Sequence, residues 1–137
     1  MVQHLRQLGR LKGYIADAEA KGAQLVPLFP GDQGRRLAHS LVLNVSDEMK
    51  LMQEEIFGPL LPIVPYQRLD EAFAYINDRP RPLALYYFGY DKGEQQRVLH
   101  ETHSGGVCLN DTLLHVAQDD LPFGGVGPSG MGNYHGH

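Results

Sequence analysis

The residues of this chain with the most obvious chemistry are its single cysteine and one of its seven histidines. Cys108 could act as a nucleophile with His115 as its base, because a thiol becomes reactive when a neighbouring group removes its proton. However, Cys108 lies in the apolar run GVCL, residues 106–109, which predicts a strand. A free cysteine in such a strand usually serves as a small core residue. We therefore interpret Cys108 as structural and keep the nucleophile as the alternative.

Two pairs of histidines have spacings that metal ligands sometimes use. His100 and His103 lie three residues apart on a predicted helix, and His135 and His137 lie at the end of the chain. A zinc site needs three or four ligands and a shell of supporting groups, which neither pair brings with it. A histidine pair on a helix that also carries Glu101 is more typical of a solvated face. We predict no metal site.

Two further patterns are weak evidence when each is taken alone. The adjacent carboxylates Glu54–Glu55 and Asp119–Asp120 resemble acid–base pairs, but neighbours in sequence usually point apart. Residues 125–130, GVGPSG, match the glycine pattern of dinucleotide-binding loops, but no strand precedes them and no helix or acidic residue follows at the required distance. The glycines instead predict a loop whose backbone passes close to another segment or to a ligand.

The elements that position these residues are predicted to be strands alternating with helices. Apolar residues at three- and four-residue steps predict a first helix over residues 3–21, and Gly22 suits its C-terminal end. Further helices are predicted at 48–52, 70–77 and 94–102, and strands at 24–29, 41–45, 60–66, 83–90 and 106–109. This alternation implies an α/β fold with a mostly parallel sheet and crossover helices, in a single unit.

Some local features refine this prediction. Pro27 indicates an edge position for the first strand. Asp70 is expected to cap the third helix, and Ser46 or Asp47 the second. The run 83–90, LALYYFGY, is the strongest strand signal and is long and apolar enough to be buried on both faces.

Composition excludes several classes of function. A length of 137 residues with 42% hydrophobic residues fits one soluble domain, and a net charge of −4 argues against nucleic acid as a partner. No apolar run approaches the roughly 18 to 20 residues that span a bilayer. One cysteine cannot form an internal disulfide, so we expect a reducing compartment, the cytoplasm.

Three motifs in a fixed order carry more information than any of these patterns alone. They are EEIFGP at 54–59, GGVCLND at 105–111 and PFGGVGPSGMG at 122–132. The combination resembles the C-terminal part of the catalytic domain of an NAD(P)-dependent aldehyde dehydrogenase. The stretches RPLALY at 81–86 and MGNYHG at 131–136 resemble the class 3 branch of that family, which includes bacterial coniferyl aldehyde dehydrogenases.

The resemblance implies roles for five residues. Glu55 would accept hydrogen bonds from the nicotinamide ribose hydroxyls, a task suited to a carboxylate. Phe57 would pack beside the nicotinamide. Phe123 would line the substrate tunnel, Asn110 would lie near that tunnel, and His135 resembles the active-site histidine of the class 3 branch.

The resemblance also implies that the catalytic machinery lies elsewhere. In this family the nucleophilic cysteine, the general-base glutamate and most of the NAD or NADP fold lie upstream of the EEIFGP motif, and Cys108 does not match the nucleophile's motif. We therefore expect residues 1–137 to be a single unit, cut at both ends, without a catalytic residue. The parent would oxidise an aldehyde to a carboxylic acid. We expect a homo-oligomer, because cutting a larger domain exposes apolar faces. The alternatives are a small enzyme that uses Cys108, and a non-catalytic partner-binding or degenerate module.

Overall fold

The computed structural model describes residues 2–29 and 36–136, with side chains from Leu5 onward, and has the mixed α/β composition predicted from sequence. It divides into two compact units, Met1–Pro65 and Tyr66–His137. The first holds helix α1 (Val2–Ala20), strands β1 (Gln24–Pro27), β2 (Ser40–Leu43) and β3 (Leu60–Pro62), and helix α2 (Lys50–Gln53). The second holds helices α3 (Leu69–Asn77) and α4 (Lys92–Glu101), strands β4 (Ala84–Tyr87) and β5 (Gly106–Leu109), and a 3-10 turn, Gly127–Ser129. The prediction that the chain acts as a single unit stays a prediction.

The first unit is a three-stranded sheet covered by α1. The strand order is β1-β2-β3, with β1 antiparallel and β3 parallel to β2. Pro27 therefore lies in an edge strand of this sheet, as predicted, where a missing amide donor is tolerated. The core residues are contributed by α1, the sheet and the α2 region: Leu11, Tyr14, Ala18, Val42, Met49, Leu51 and Leu60.

The ends of the helices in this unit differ in how well they were predicted. Gly22 has a φ of +93°, and the amide of Ala23 donates to the carbonyl of Ala18, so the predicted glycine terminus of α1 is confirmed. The prediction that Ser46 or Asp47 caps α2 is wrong. The side chain that caps it is Asp17 of α1, whose Oδ2 accepts a hydrogen bond of 2.9 Å from the Lys50 amide.

The second unit is built on two parallel strands joined by α4. Ala84 lies opposite Gly106, and Tyr87 lies opposite Leu109. Helix α4 begins at a conventional cap, where Asp91 accepts from the Glu94 amide. The predicted cap of α3 is wrong, because the Asp70 carboxylate instead accepts a hydrogen bond of 2.6 Å from Arg97 of α4.

Several predicted strands are shorter in the structure, and β4 is less buried than its sequence indicates. The strand predicted at 24–29 ends at Pro27, the one predicted at 60–66 ends at Pro62, and the one predicted at 83–90 covers only Ala84–Tyr87. The strand predicted at 106–109 is confirmed residue for residue. Leu83, Tyr86 and Phe88 are 42%, 37% and 65% exposed, so burial on both faces is wrong for this chain. The physical reason is that, among the described elements, β4 packs chiefly against β5, and a neighbouring strand covers the edge of a strand and not its faces.

The described strands form two separate sheets, and their pairing is only partly parallel. Two of the three described strand pairings are parallel, but β1 and β2 form an antiparallel pair. Antiparallel neighbours need no crossover helix, and none was predicted between these strands. Within the described ranges, no helix has the length and apolar character required to cross a membrane.

Candidate functional site

The EEIFGP segment lies on the surface of the first unit and is held by side chains of α1. Arg10 donates from Nη1 to the carbonyl of Glu55 and from Nη2 to the carbonyl of Ile56, both at 2.6 Å. Gln7 Nε2 donates to the carbonyl of Phe57 at 2.7 Å. Three successive carbonyls of an irregular segment are therefore bound by one helix face.

The two adjacent glutamates of this segment have different environments. Glu54 accepts a hydrogen bond of 2.7 Å from the hydroxyl of Tyr14, which also accepts one of 2.6 Å from Arg10. Burial of the Tyr14 ring, followed by its bond to the Glu54 carboxylate, raises the pKa of Tyr14. The Glu55 side chain is exposed and has no hydrogen bond to its carboxylate within the described residues. Of the pair, Glu55 is the carboxylate open to a ligand.

The backbone of this segment takes a turn that projects Phe57 outward. Phe57 is 78% exposed and has a φ of +44°, a conformation that residues with a side chain rarely adopt. A Cβ on Gly58 would come within 2.7 Å of the Leu11 side chain, so the glycine allows α1 to pack closely here. The structure therefore presents Glu55 and Phe57 together on one short, well-fixed segment.

The glycine-rich segment of the second unit forms an open cavity. Phe123 and Tyr134 pair as an antiparallel bridge, which brings the two halves of the segment together. The cavity has a volume of about 370 Å³ and is lined by Leu83, Phe123, Gly124, Gly125 and residues 130–134. A Cβ on Gly124 would lie 2.1 Å from the Gly132 carbonyl. Within residues 125–130, a Cβ on Gly125 would overlap the Ser129 backbone, so these glycines let the loop fold closely on itself. The predicted approach of this loop to another segment or to a ligand stays a prediction.

Behind Phe123 lies a cluster of aromatic rings and imidazoles. The His115 ring contacts Tyr86 and Phe123 edge-on, at centroid distances of 5.7 and 5.5 Å. Its Nδ1 lies 3.1 Å from the Cys108 Sγ, and its Nε2 is buried without a partner among the described residues. The structure thus brings together the thiol and the imidazole that the sequence offered as an alternative nucleophile and base.

The other two predicted pocket residues are engaged with backbone. The Asn110 amide donates to the Gly89 carbonyl and accepts from the Gly89 amide, at 3.0 and 2.9 Å, which links the segments that follow β4 and β5. The His135 ring stacks on Phe123 at 6.5 Å and has its nitrogens 2.9 and 3.2 Å from the carbonyls of Leu121 and Val116. Phe123 and His135 are therefore brought together, whereas Asn110 is occupied by Gly89.

Sequence reasoning missed the residues of α1 that hold the EEIFGP segment. Gln7, Arg10 and Tyr14 are spaced by three and four positions, which places them on one face of a helix. That spacing was visible in the sequence as a polar stripe beside the apolar one. Nothing local indicated that its partners lie 40 or more residues further along the chain.

The model of the aldehyde dehydrogenase family matches residues 2–137. The chain is 79% identical over 132 residues to a probable coniferyl aldehyde dehydrogenase of Pseudomonas aeruginosa, with 96% of this chain and 28% of that protein covered. The chain therefore spans little more than a quarter of the length of this relative.

Solved structures agree with the sequence comparison. A substrate-bound AldH of Staphylococcus aureus superposes with a TM-score of 0.86 at 47% identity, covering 96% of this chain and 28% of that one. An aldehyde dehydrogenase of Bacillus cereus in complex with NAD+ gives a TM-score of 0.83 at 26% identity, covering 96% and 27%. The resemblance inferred from the three ordered motifs is confirmed. This chain belongs to the aldehyde dehydrogenase family.

Proposed function

We propose that this chain is part of an enzyme that oxidises an aldehyde to a carboxylic acid with NAD or NADP. Its contribution is part of the cofactor-ribose site and one wall of the substrate tunnel. The similarity to the P. aeruginosa protein, a probable coniferyl aldehyde dehydrogenase, favours an aromatic aldehyde. Because the chain matches 28% of that relative, the reaction as a whole belongs to the larger protein, and the nucleophile is expected outside these residues.

The proposal rests on one observation: the Glu55 carboxylate and the Phe57 ring are both exposed on the same short segment. A carboxylate accepts hydrogen bonds at two oxygens and so matches the paired hydroxyls of a ribose. The exposed Phe57 ring, two residues further on, offers a flat apolar surface to a nicotinamide. These groups fit the cofactor, which accepts a hydride when it is bound. The residues themselves bind and orient: Glu55 holds the sugar, and Phe57 limits the position of the ring.

The substrate wall is proposed for the second unit. Phe123 borders the open cavity together with the glycines at 124 and 125, so an aromatic aldehyde could lie against its ring. His135 supports this wall from behind by stacking on Phe123. Asn110, which bonds to both backbone groups of Gly89, fixes the start of the loop that leads towards it. These three residues shape the site and do not transfer a proton or electron.

Two further properties of the proposed enzyme rest on the chain itself. Large exposed apolar side chains, among them Phe88 and Tyr134, support a homo-oligomer. A single free cysteine supports a reducing compartment, the cytoplasm.

The proposal is tested by replacing Glu55 with glutamine in the full-length enzyme that carries this segment. Losing a hydrogen bond to a charged group costs about 1.5 to 3 kcal/mol, which is about 10- to 150-fold in affinity. We therefore expect the KM for NAD or NADP to rise about 10- to 150-fold, with the KM for the aldehyde nearly unchanged. The measurement is steady-state formation of reduced nicotinamide.

Glu48→Gln is the matched control, because Glu48 is also an exposed glutamate of the first unit and should leave both constants unchanged. If Glu55→Gln leaves cofactor affinity and hydride transfer unchanged, Glu55 does not belong to the site. If the 137-residue chain alone reduces NAD with an aldehyde, and Cys108→Ala abolishes that activity, the chain is a small enzyme instead. If the full-length enzyme does not need these residues for its activity, the chain is better explained as a non-catalytic module.

A further inference from the structure

We infer that Arg10 is the positioning residue of the cofactor site. It fixes the backbone of residues 55–57 and thereby orients the Glu55 carboxylate and the Phe57 ring before the cofactor binds. This inference rests on the proposed function, because it gives Arg10 a task only if Glu55 and Phe57 contact NAD or NADP.

The guanidinium of Arg10 has the geometry to bind two neighbouring backbone carbonyls. Nη1 and Nη2 of Arg10 donate to two adjacent carbonyls, those of Glu55 and Ile56, both at 2.6 Å. Nε donates to the Gln7 side chain at 3.1 Å, and Nη1 also donates to Tyr14 at 2.6 Å. A planar fork with fixed donors can hold two neighbouring acceptors in one orientation, whereas a lysine ammonium is a single point charge.

Residues 55–58 lack backbone–backbone hydrogen bonds in the described part of the chain. Helix α2 ends at Gln53 and β3 begins at Leu60. Phe57 moreover adopts a positive φ, which a side-chain-bearing residue holds only when its surroundings enforce it. The bonds from Arg10 and Gln7 supply that enforcement.

Arg10 itself lies on a helix that is packed into the core of the first unit. Leu11, Tyr14 and Ala18 of the same helix are 5%, 3% and 0% exposed and belong to the core of the first unit. Arg10 is held from its own helix by Gln7 and Tyr14. The packed helix therefore fixes the position of Arg10, and Arg10 in turn fixes the orientation of residues 55–57.

The experiment uses the full-length enzyme that carries this segment, with the variants Arg10→Met and Arg10→Lys. We expect Arg10→Met to weaken equilibrium binding of NAD or NADP about tenfold, measured by isothermal titration calorimetry without aldehyde, because charged hydrogen bonds are lost. The KM for the cofactor should rise by a similar factor, and the KM for the aldehyde should stay unchanged. Arg10→Lys, which keeps the charge but not the fork, should give a smaller rise. Arg6→Met is the control, because Arg6 is an exposed arginine of the same helix.

A double-variant cycle separates this inference from the proposed function. In Arg10→Met with Glu55→Gln, the combined rise should be smaller than the product of the single rises, because both act on one contact. If Glu55→Gln alone has no effect, the proposed function fails. If Glu55→Gln has its effect while Arg10→Met and Arg10→Lys leave cofactor KM unchanged, or raise both KM values equally, the positioning role is overturned. If Arg10→Met does not fold, Arg10→Lys decides alone: a cofactor KM equal to that of the unaltered enzyme overturns it.

Discussion

At the scale of single residues, the contact between Cys108 and His115 has two opposite chemical interpretations. A sulfur 3.1 Å from an imidazole nitrogen is the geometry of a thiol with its base. The same two side chains are also packing elements, because Cys108 is half-buried in β5 and the His115 ring lies between Tyr86 and Phe123. A Cβ on Gly106 would lie 2.8 Å from that ring, so the imidazole fills the space above the strand. The packing favours the structural interpretation.

We therefore predict that Cys108 reacts slowly with iodoacetamide in the native chain. Alkylation should be slower than in denaturant, because the half-buried thiol is partly shielded by the His115 ring, and local opening would add to its exposure. The rate is measured by mass spectrometry over time. His115→Gln should not slow the reaction, and His39→Gln serves as a histidine control in the first unit. Rapid native alkylation that His115→Gln abolishes would establish Cys108 as an activated thiolate.

At the scale of elements, α3 and α4 are tied together by one arginine. Arg97 of α4 bonds to Asp70 of α3 and to Glu101 of its own helix, each with a closest contact of 2.6 Å, and its guanidinium lies over the Phe73 ring at 4.9 Å. The hydrogen bond from Arg97 is the largest influence that holds the pKa of Asp70 and of Glu101 below their ordinary values. Asn77 adds a hydrogen bond of 2.7 Å from α3 to the Glu101 carbonyl.

This arrangement predicts a pH-dependent stability. A carboxyl whose pKa is lower in the folded state stabilises the fold above its unfolded pKa, and loses that effect as the pH falls through the folded value. The ordinary values are 3.8 for Asp70 and 4.5 for Glu101, so the loss falls in the acid range below them. Arg97→Gln should lower the thermal midpoint at pH 7, modestly because these groups are partly exposed.

The difference in thermal midpoint between Arg97→Gln and the unaltered chain should shrink steadily as the pH falls below the ordinary pKa values of Asp70 and Glu101. The measurement is thermal unfolding by circular dichroism at a series of pH values. Arg81→Gln, which removes another exposed arginine of the second unit, should show no such dependence. A difference that is equally large in strong acid would mean that Arg97 stabilises the fold through packing on Phe73 alone.

At the scale of the whole molecule, the apolar residues of the second unit are exposed to an unusual extent. Phe88 is 65% exposed, Tyr134 is 75% exposed and Met131 is 100% exposed. Strands β4 and β5 pair only with each other in the described part of the chain, which leaves each with an unpaired edge. Large exposed apolar surface and open strand edges both favour association with another chain.

We accordingly predict that the purified chain forms a dimer or higher oligomer at micromolar concentration. Sedimentation velocity measures this directly. Phe88→Lys should shift the distribution towards the monomer, because a charge on the exposed face opposes its burial. Leu5→Lys on α1 is the control, as Leu5 is an exposed apolar residue of the other unit. A clean monomer with one cooperative thermal transition would contradict the prediction and would favour the non-catalytic module.

The family and most of the secondary structure could be predicted from the order of the residues alone. Three motifs in a fixed order identified the aldehyde dehydrogenase family, and residue periodicity located the helices and strands to within a few residues. Gly22 was recognised as a helix terminus, and Pro27 as a marker of an edge strand, because these residues act through their own backbone. Signals of this kind depend on neighbours along the chain and can be read without a fold.

Contacts between side chains that are distant in sequence could be read only from the folded structure. Asp17 caps a helix more than 30 residues away, and Asp70 bonds to Arg97 instead of capping its own helix. Arg10 reaches the carbonyls of a segment 45 residues further on. Polar side chains have several acceptors or donors of similar strength available locally, so their choice depends on which groups packing brings within about 3 Å. Which groups come that close depends on the packing of core residues such as Leu11, Val42 and Leu60, which lie far apart in the sequence.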